Sequence, residues 1–75
     1  MPTLGFIVAK PGNLFQAVKV PDYGGTSQLF QGTGAFRDAK AFVEGAVAGK
    51  AKIRDATRAG AEGGVGGPRT YEVYT

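Results

Sequence analysis

The chain has 75 residues, one domain at most, near the lower size limit at which a hydrophobic core alone holds a fold. It has no cysteine and no histidine, which excludes disulfides, thiolate metal sites and nucleophilic catalysis that depends on an imidazole. The net charge of +3 permits attraction to nucleic acid or to an acidic protein without demanding either. No apolar run reaches membrane-spanning length, and the cysteine-free composition fits the cytoplasm, so we expect a cytoplasmic protein with no membrane contact.

The first 32 residues predict three strands. Residues 4–20 read as a β-hairpin whose strands are joined by a turn at Pro11 and Gly12, a pair suited to the two central turn positions. Pro21 ends the second strand because proline cannot donate a hydrogen bond to the ladder. A glycine-containing loop follows, and the segment "SQLFQG" is long enough for a short third strand.

The segment "TGAFRDAKAFVEGAVAG" predicts an amphipathic helix over about residues 34–48, because its apolar residues recur at helical spacing. Thr33 is the expected N-cap, and Asp38 falls in the first turn, where the helix dipole favours an anion. Gly49 suits the left-handed position past the end. Gly45, inside the predicted helix, suggests a close approach to the sheet.

The remainder predicts two more strands around a loop. "KAKIRDA" reads as a strand, "TRAGAEGGVGGP" as a glycine-rich loop, and "RTYEVYT" as a closing strand with Tyr71 and Val73 on one face. The expected fold is therefore α+β, a single domain over residues 1–75, with one amphipathic helix packed on an antiparallel sheet in the order β-β-β-α-β-β. The expected helix–sheet contact places Phe36, Ala39, Val43 and Val47 on Phe6, Val18 and Ile53.

A row of cations marks the fourth strand. In an extended chain Lys50, Lys52 and Arg54 share one face, while Ala51 and Ile53 share the other. One interpretation is a line of contacts to phosphates. The other is the solvated face of an edge strand that lysine keeps from pairing, and it fits better because phosphate binders usually show a denser basic surface. The row remains the best candidate interaction surface in the sequence.

Other residues complete the candidate surface. Arg58 extends the basic stretch, and Tyr23 and Tyr74 are the tyrosines expected to be exposed, where they can stack on a base or anchor a protein interface. The predicted partner-binding residues are Lys50, Lys52, Arg54, Arg58, Tyr23 and Tyr74.

No catalytic, cofactor or metal site is predicted. The glycine-rich loop has no following helix and no Lys-Ser/Thr pair, both of which a phosphate-binding loop needs. None of the six carboxylates pairs with another at helical i, i+3 or i+4 spacing. An enzyme that assembles carboxylates across strands is a third, lesser alternative.

The segment from Leu14 to Val43, "LFQAVKV...SQLFQGTGAFRDAKAFV", resembles the three-stranded-sheet-plus-helix DNA-binding domains of phage integrase arms and plant ethylene-response factors. In both, a strand runs to a small-polar turn, and an aromatic residue and an alanine open the helix. The resemblance covers under half of the chain and implies direct binding of DNA. Those domains read DNA with sheet arginines and tryptophans, whereas the matching strands here carry only Lys19 among cations.

By overall type the chain also resembles small phage-encoded inhibitors, the anti-CRISPR proteins among them. The shared features are very small size, absence of cysteine, and a helix in the style of "FRDAKAFV" followed by a basic strand. This resemblance implies stoichiometric docking on a nucleic-acid-handling protein complex, such as a CRISPR effector, in the host cytoplasm and without a cofactor. It is the leading hypothesis, and direct DNA or RNA binding through the basic strand is the alternative. A homodimer that pairs edge strands is compatible with both.

Overall fold

The computed structural model describes residues 2–45, 50–56 and 69–75. Five strands and one helix occur in the predicted order, and a short 3-10 helix, Pro21–Tyr23, is inserted between the second and third strands. The elements are β1 Thr3–Lys10, β2 Leu14–Lys19, β3 Ser27–Gln31, α1 Ala35–Glu44, β4 Lys52–Asp55 and β5 Thr70–Tyr74. The predicted α+β fold class is confirmed. The predicted glycine-rich loop, residues 57–68, lies outside the described residues.

The strands form one antiparallel sheet in the order β3-β2-β1-β5-β4. The first and last strands of the chain are therefore neighbours at the centre, and β3 and β4 are the two edges. The predicted β1–β2 hairpin is confirmed, and because Lys10 pairs with Leu14, residues 11–13 form its turn. Helix α1 packs across one face of the sheet, mainly over β2 and β1.

The buried core lies between α1 and the sheet. Ile7 and Ala17 face each other across β1 and β2 on the helix side of the sheet, and both are fully buried. The prediction that the helix packs on Phe6 and Val18 is wrong. These two residues also pair with each other, but successive side chains of a strand point to opposite faces, so they lie on the face away from the helix. Among the described residues, the buried core cluster consists of Leu4, Ile7, Ala17, Ala39, Val43 and Val73, and Ala35 is buried as well.

Aromatic rings close the rim of this small core. Phe36 lies between two of them, with its ring centroid 5.5 Å from that of Phe15 and 5.2 Å from that of Tyr71. Phe30 and Phe42 pack 5.8 Å apart at the β3 side. Ile53 packs against the core as predicted, and so do Tyr71 and Val73, which share one face of β5. Val47 lies outside the described residues.

The two ends of α1 differ from the prediction. Gly34, with φ 82°, is the N-cap, and no side chain caps the helix, so the assignment of Thr33 is wrong. Asp38 does lie in the first turn. The helix ends at Glu44, because Gly45 leaves helical geometry with φ 34°. The rest of the predicted span, and Gly49 after it, lies outside the described residues.

The closest approach of helix and sheet occurs at Gly5, whereas a Cβ atom on Gly45 would meet only the end of the Lys19 side chain of β2, at 3.4 Å. A Cβ atom on Gly5 would lie 2.1 Å from the carbonyl oxygen of Val18 and 2.9 Å from Cγ1 of Val43. Only glycine fits at this position of β1, because the contacting oxygen belongs to the backbone of the neighbouring strand. The absence of a side chain here lets α1 sit close over the centre of the sheet.

Candidate partner-binding surface

One face of the sheet carries α1; the other, hereafter the open face, lies on the side away from α1. Phe6, Val8 and Val18 form a half-buried apolar centre on this face. Lys52 and Arg54 stand on it along the β4 edge and are exposed. The open face therefore joins an apolar patch to a charged margin.

The structure brings three of the predicted residues together at this margin. Lys52 lies opposite Tyr74 in the β4–β5 register, and Arg54 lies opposite Glu72. The guanidinium carbon of Arg54 stands 4.7 Å from the centre of the Tyr74 ring, within the range of a cation–π contact. Tyr74 was predicted to be exposed, but it is half-buried, and the arginine lies over its ring.

Glu72 holds the arginine in place. The Nε group of Arg54 donates to Oε1 of Glu72 at 2.7 Å, and the hydroxyl of Thr3 donates to Oε2. The hydrogen bond from Arg54, followed by that from Thr3, keeps the pKa of the Glu72 carboxyl below its usual range, and the same pairing raises the pKa of Arg54. Both oxygens of a nearly buried carboxylate are thus occupied.

Sequence reasoning missed Glu72 and Thr3. The local signal for Glu72 was present, because it alternates with Tyr71 and Val73 and must face away from them. What the sequence did not supply was the pairing of β4 with β5, which sets Glu72 beside a cation 18 positions earlier in the chain. The basic row is therefore partly neutralised by a residue that lies outside it.

The two lysines keep their charges exposed. Within the described part of the chain neither Lys50 nor Lys52 forms an ion pair. Lys50 precedes β4, so the expected row of three cations on one strand contains only Lys52 and Arg54. Arg69 pairs with Asp55 at 3.0 Å beyond the other end of the row. Arg58, the fourth predicted cation, lies outside the described residues.

Tyr23 is not part of this cluster. It belongs to the 3-10 helix that follows β2 and is 38% exposed. Three strand spacings separate β2 from β4, a lateral distance of roughly 14–15 Å. A partner that contacts both Tyr23 and Lys52 must therefore span most of the width of the sheet.

Neither a metal centre nor a spanning helix is found in the part of the chain that the structure describes. No three acidic side chains there are grouped to hold a metal ion, and α1 is too short and too polar to cross a membrane. Comparison of the chain with protein-family models, curated proteins and solved structures found no match.

Proposed function

We propose that this protein acts by binding and not by catalysis, as an inhibitor or adaptor of phage or mobile-element type. It docks on a protein complex that handles nucleic acid, such as a CRISPR effector, in the host cytoplasm. The docking surface is the β4 margin of the open face, formed by Lys52, Arg54 and Tyr74 with Lys50 beside them. The observation that carries the proposal is the Arg54 guanidinium, which lies on the Tyr74 ring and is fixed by the Glu72 carboxylate.

This arrangement favours a protein partner over a phosphate backbone. Glu72 already neutralises Arg54, and its negative charge adjoins the place where a phosphate would have to sit. Arginine and tyrosine are the residue types that dominate the energetics of protein interfaces. A side chain that is held in place before binding also loses less conformational entropy when the partner arrives.

Direct binding of DNA or RNA is the second candidate, and the exposed, unpaired state of Lys50 and Lys52 within the described residues favours it. Two lysines give a sparse footprint compared with the basic surface of most nucleic-acid-binding domains. This candidate therefore depends on contacts that these two side chains make without Arg54.

A pull-down with the tagged full-length chain from host lysate, with and without nuclease, separates the two candidates. The proposal expects a protein partner that survives nuclease, whereas an association that nuclease abolishes supports nucleic-acid binding. The double variant Lys50→Glu/Lys52→Glu should lose the partner while keeping the fold, because both side chains are exposed. Arg37→Glu is the matched control, since its side chain is 84% exposed on the helix, away from the open face. Retention of the partner by the double variant would contradict the proposal.

A further inference from the structure

The two edges of the sheet are chemically different. The β4 edge, "KIRD", carries three charged residues in four positions. The β3 edge, "SQLFQ", carries no charge and no proline. Natural sheets usually protect an edge with lysine, proline or a bulge, because unpaired backbone groups there pair with any available strand. The β3 edge has none of these protections over Ser27–Gln31.

The hydrogen-bond pattern shows which backbone groups of β3 are free. The amide of Lys19 donates to the carbonyl of Thr26 at 2.8 Å, and the amide of Gly32 donates to that of Asn13 at 3.2 Å. Hydrogen-bonded positions alternate along an antiparallel pair, so Gln28 and Phe30 bond to β2. Ser27, Leu29 and Gln31 therefore direct their N–H and C=O groups outward from the sheet.

We propose that the protein forms a homodimer in which β3 pairs antiparallel with β3 of a second copy, with the two-fold axis at Leu29. In this register Leu29 lies opposite Leu29 of the other copy, and each Ser27 lies opposite Gln31. Each of these three residues then lies opposite a residue that also directs its backbone groups outward. Every free N–H and C=O group of the strand therefore finds a hydrogen-bond partner. No other register of this strand with itself pairs all of them.

The side chains suit the same register. Leu29 is 56% exposed, and at the two-fold axis its side chain packs on its own copy on the open face. Gln28 faces Phe30 of the second copy on the helix side, and no charges are opposed. The two α1 helices, which lie mainly over β2, stand about 14 Å apart, more than the 8–10 Å of packed helices, so they do not clash.

Crosslinking tests the register directly because the chain contains no cysteine. Leu29→Cys places two thiols opposite each other at a Cα separation of about 5.5 Å, which a disulfide can bridge. Lys52→Cys is the control, since Lys52 is also exposed but lies on the opposite edge strand. Under air oxidation we expect Leu29→Cys to form covalent dimers at least about tenfold faster. Equal rates for the two variants would overturn the proposed register.

Sedimentation of the full-length chain over a wide concentration range tests the dimer itself. We expect a monomer–dimer equilibrium that Leu29→Lys weakens at least about tenfold, because it sets like charges together on the axis. Gln16→Lys adds the same charge one strand inward, opposite Leu29 in the β2–β3 register, and should dimerise normally. If Leu29→Lys fails to fold, the crosslinking comparison decides. A wild-type chain that stays monomeric throughout, or a folded Leu29→Lys variant that dimerises normally, would overturn the proposal.

Discussion

Glu72 couples the stability of the fold to pH. Its carboxyl accepts hydrogen bonds from Arg54 and Thr3, which hold its pKa below its ordinary value in an unfolded chain. A group whose pKa is lower in the folded state stabilises that state above its unfolded pKa. As the pH falls below the unfolded pKa, the unfolded chain takes up a proton before the folded chain does. The stabilisation therefore decreases, and it is lost as the pH falls through the folded pKa.

We therefore expect the Arg54→Gln variant to lose less of its free energy of unfolding than the wild type when the pH is lowered. The variant removes the larger cause of the lowered pKa and leaves the smaller one, the hydrogen bond from Thr3. Urea unfolding at neutral pH and at a pH below about 4 measures the difference. Arg37→Gln serves as the control, because it removes an exposed cation that does not touch Glu72. A pH dependence identical to that of the wild type would show that the Arg54–Glu72 pair contributes nothing to stability.

Gly5 sets the distance between helix and sheet. In Gly5→Ala the new methyl group would lie 2.1 Å from the carbonyl oxygen of Val18 and 2.9 Å from Cγ1 of Val43, so both β2 and α1 must shift. Overpacking of this kind costs about 3 kcal/mol, and we expect a matching loss in the free energy of unfolding in urea. Gly12→Asn should cost far less, because a Cβ atom in this open β1–β2 turn would meet no atom within 4 Å and asparagine tolerates the left-handed φ. Equal free energies of unfolding for the two variants would mean that helix and sheet can shift without cost to make room for the methyl group.

Helix α1 packs on the sheet through one of its faces, so a buried and an exposed position within the same turn can be compared. Val43 is 2% exposed in the core, whereas Ala41 is exposed on the far side of the helix. Val43→Asp buries a charge without a partner and should remove most of the stability of a domain this small, while Ala41→Asp should leave it nearly unchanged. Thermal melts followed by circular dichroism compare the two. A melting temperature unaffected by Val43→Asp would mean that the buried face of α1 is wrongly assigned.

The elements that the sequence predicts well are those with a distinct period. The apolar spacing of α1 identified the helix, and alternation identified the strands, because each pattern depends only on neighbours in the chain. The covered face of β1 was mistaken for a different reason. Phe6 and Ile7 are both apolar, so alternation cannot say which of them meets the helix. The contact between Glu72 and Arg54 was missed because it follows from strand order, which no local pattern encodes.

At the scale of the whole molecule, the two edges of the sheet differ in charge. The net charge of +3 is modest, and the β4 edge is charged while the β3 edge is neutral. Because β3 and β4 are the opposite edges of the sheet, a partner protein and a second copy can approach different edges without competing. A charged margin that recognises a partner and a neutral margin that pairs with itself would give a dimer two docking surfaces, one at each end of a continuous sheet.

Salt dependence separates the two candidate functions for the intact protein. Direct binding to DNA gives a log–log slope of about −0.9 for each phosphate contact, so contacts from Lys50 and Lys52 predict roughly −1.8, and a third contact from Arg54 would give roughly −2.7. Because Glu72 already neutralises Arg54, we expect a slope of about −1.8 if the protein binds DNA directly. Docking on a protein surface should depend less steeply on salt. Titration of the captured partner and of a purified DNA duplex at several salt concentrations measures both slopes. In the Lys50→Glu/Lys52→Glu variant the salt dependence of any binding to nucleic acid should be weaker still. A slope of about −1.8 or steeper on duplex DNA, with no nuclease-resistant partner, would replace protein docking by direct nucleic-acid binding as the function.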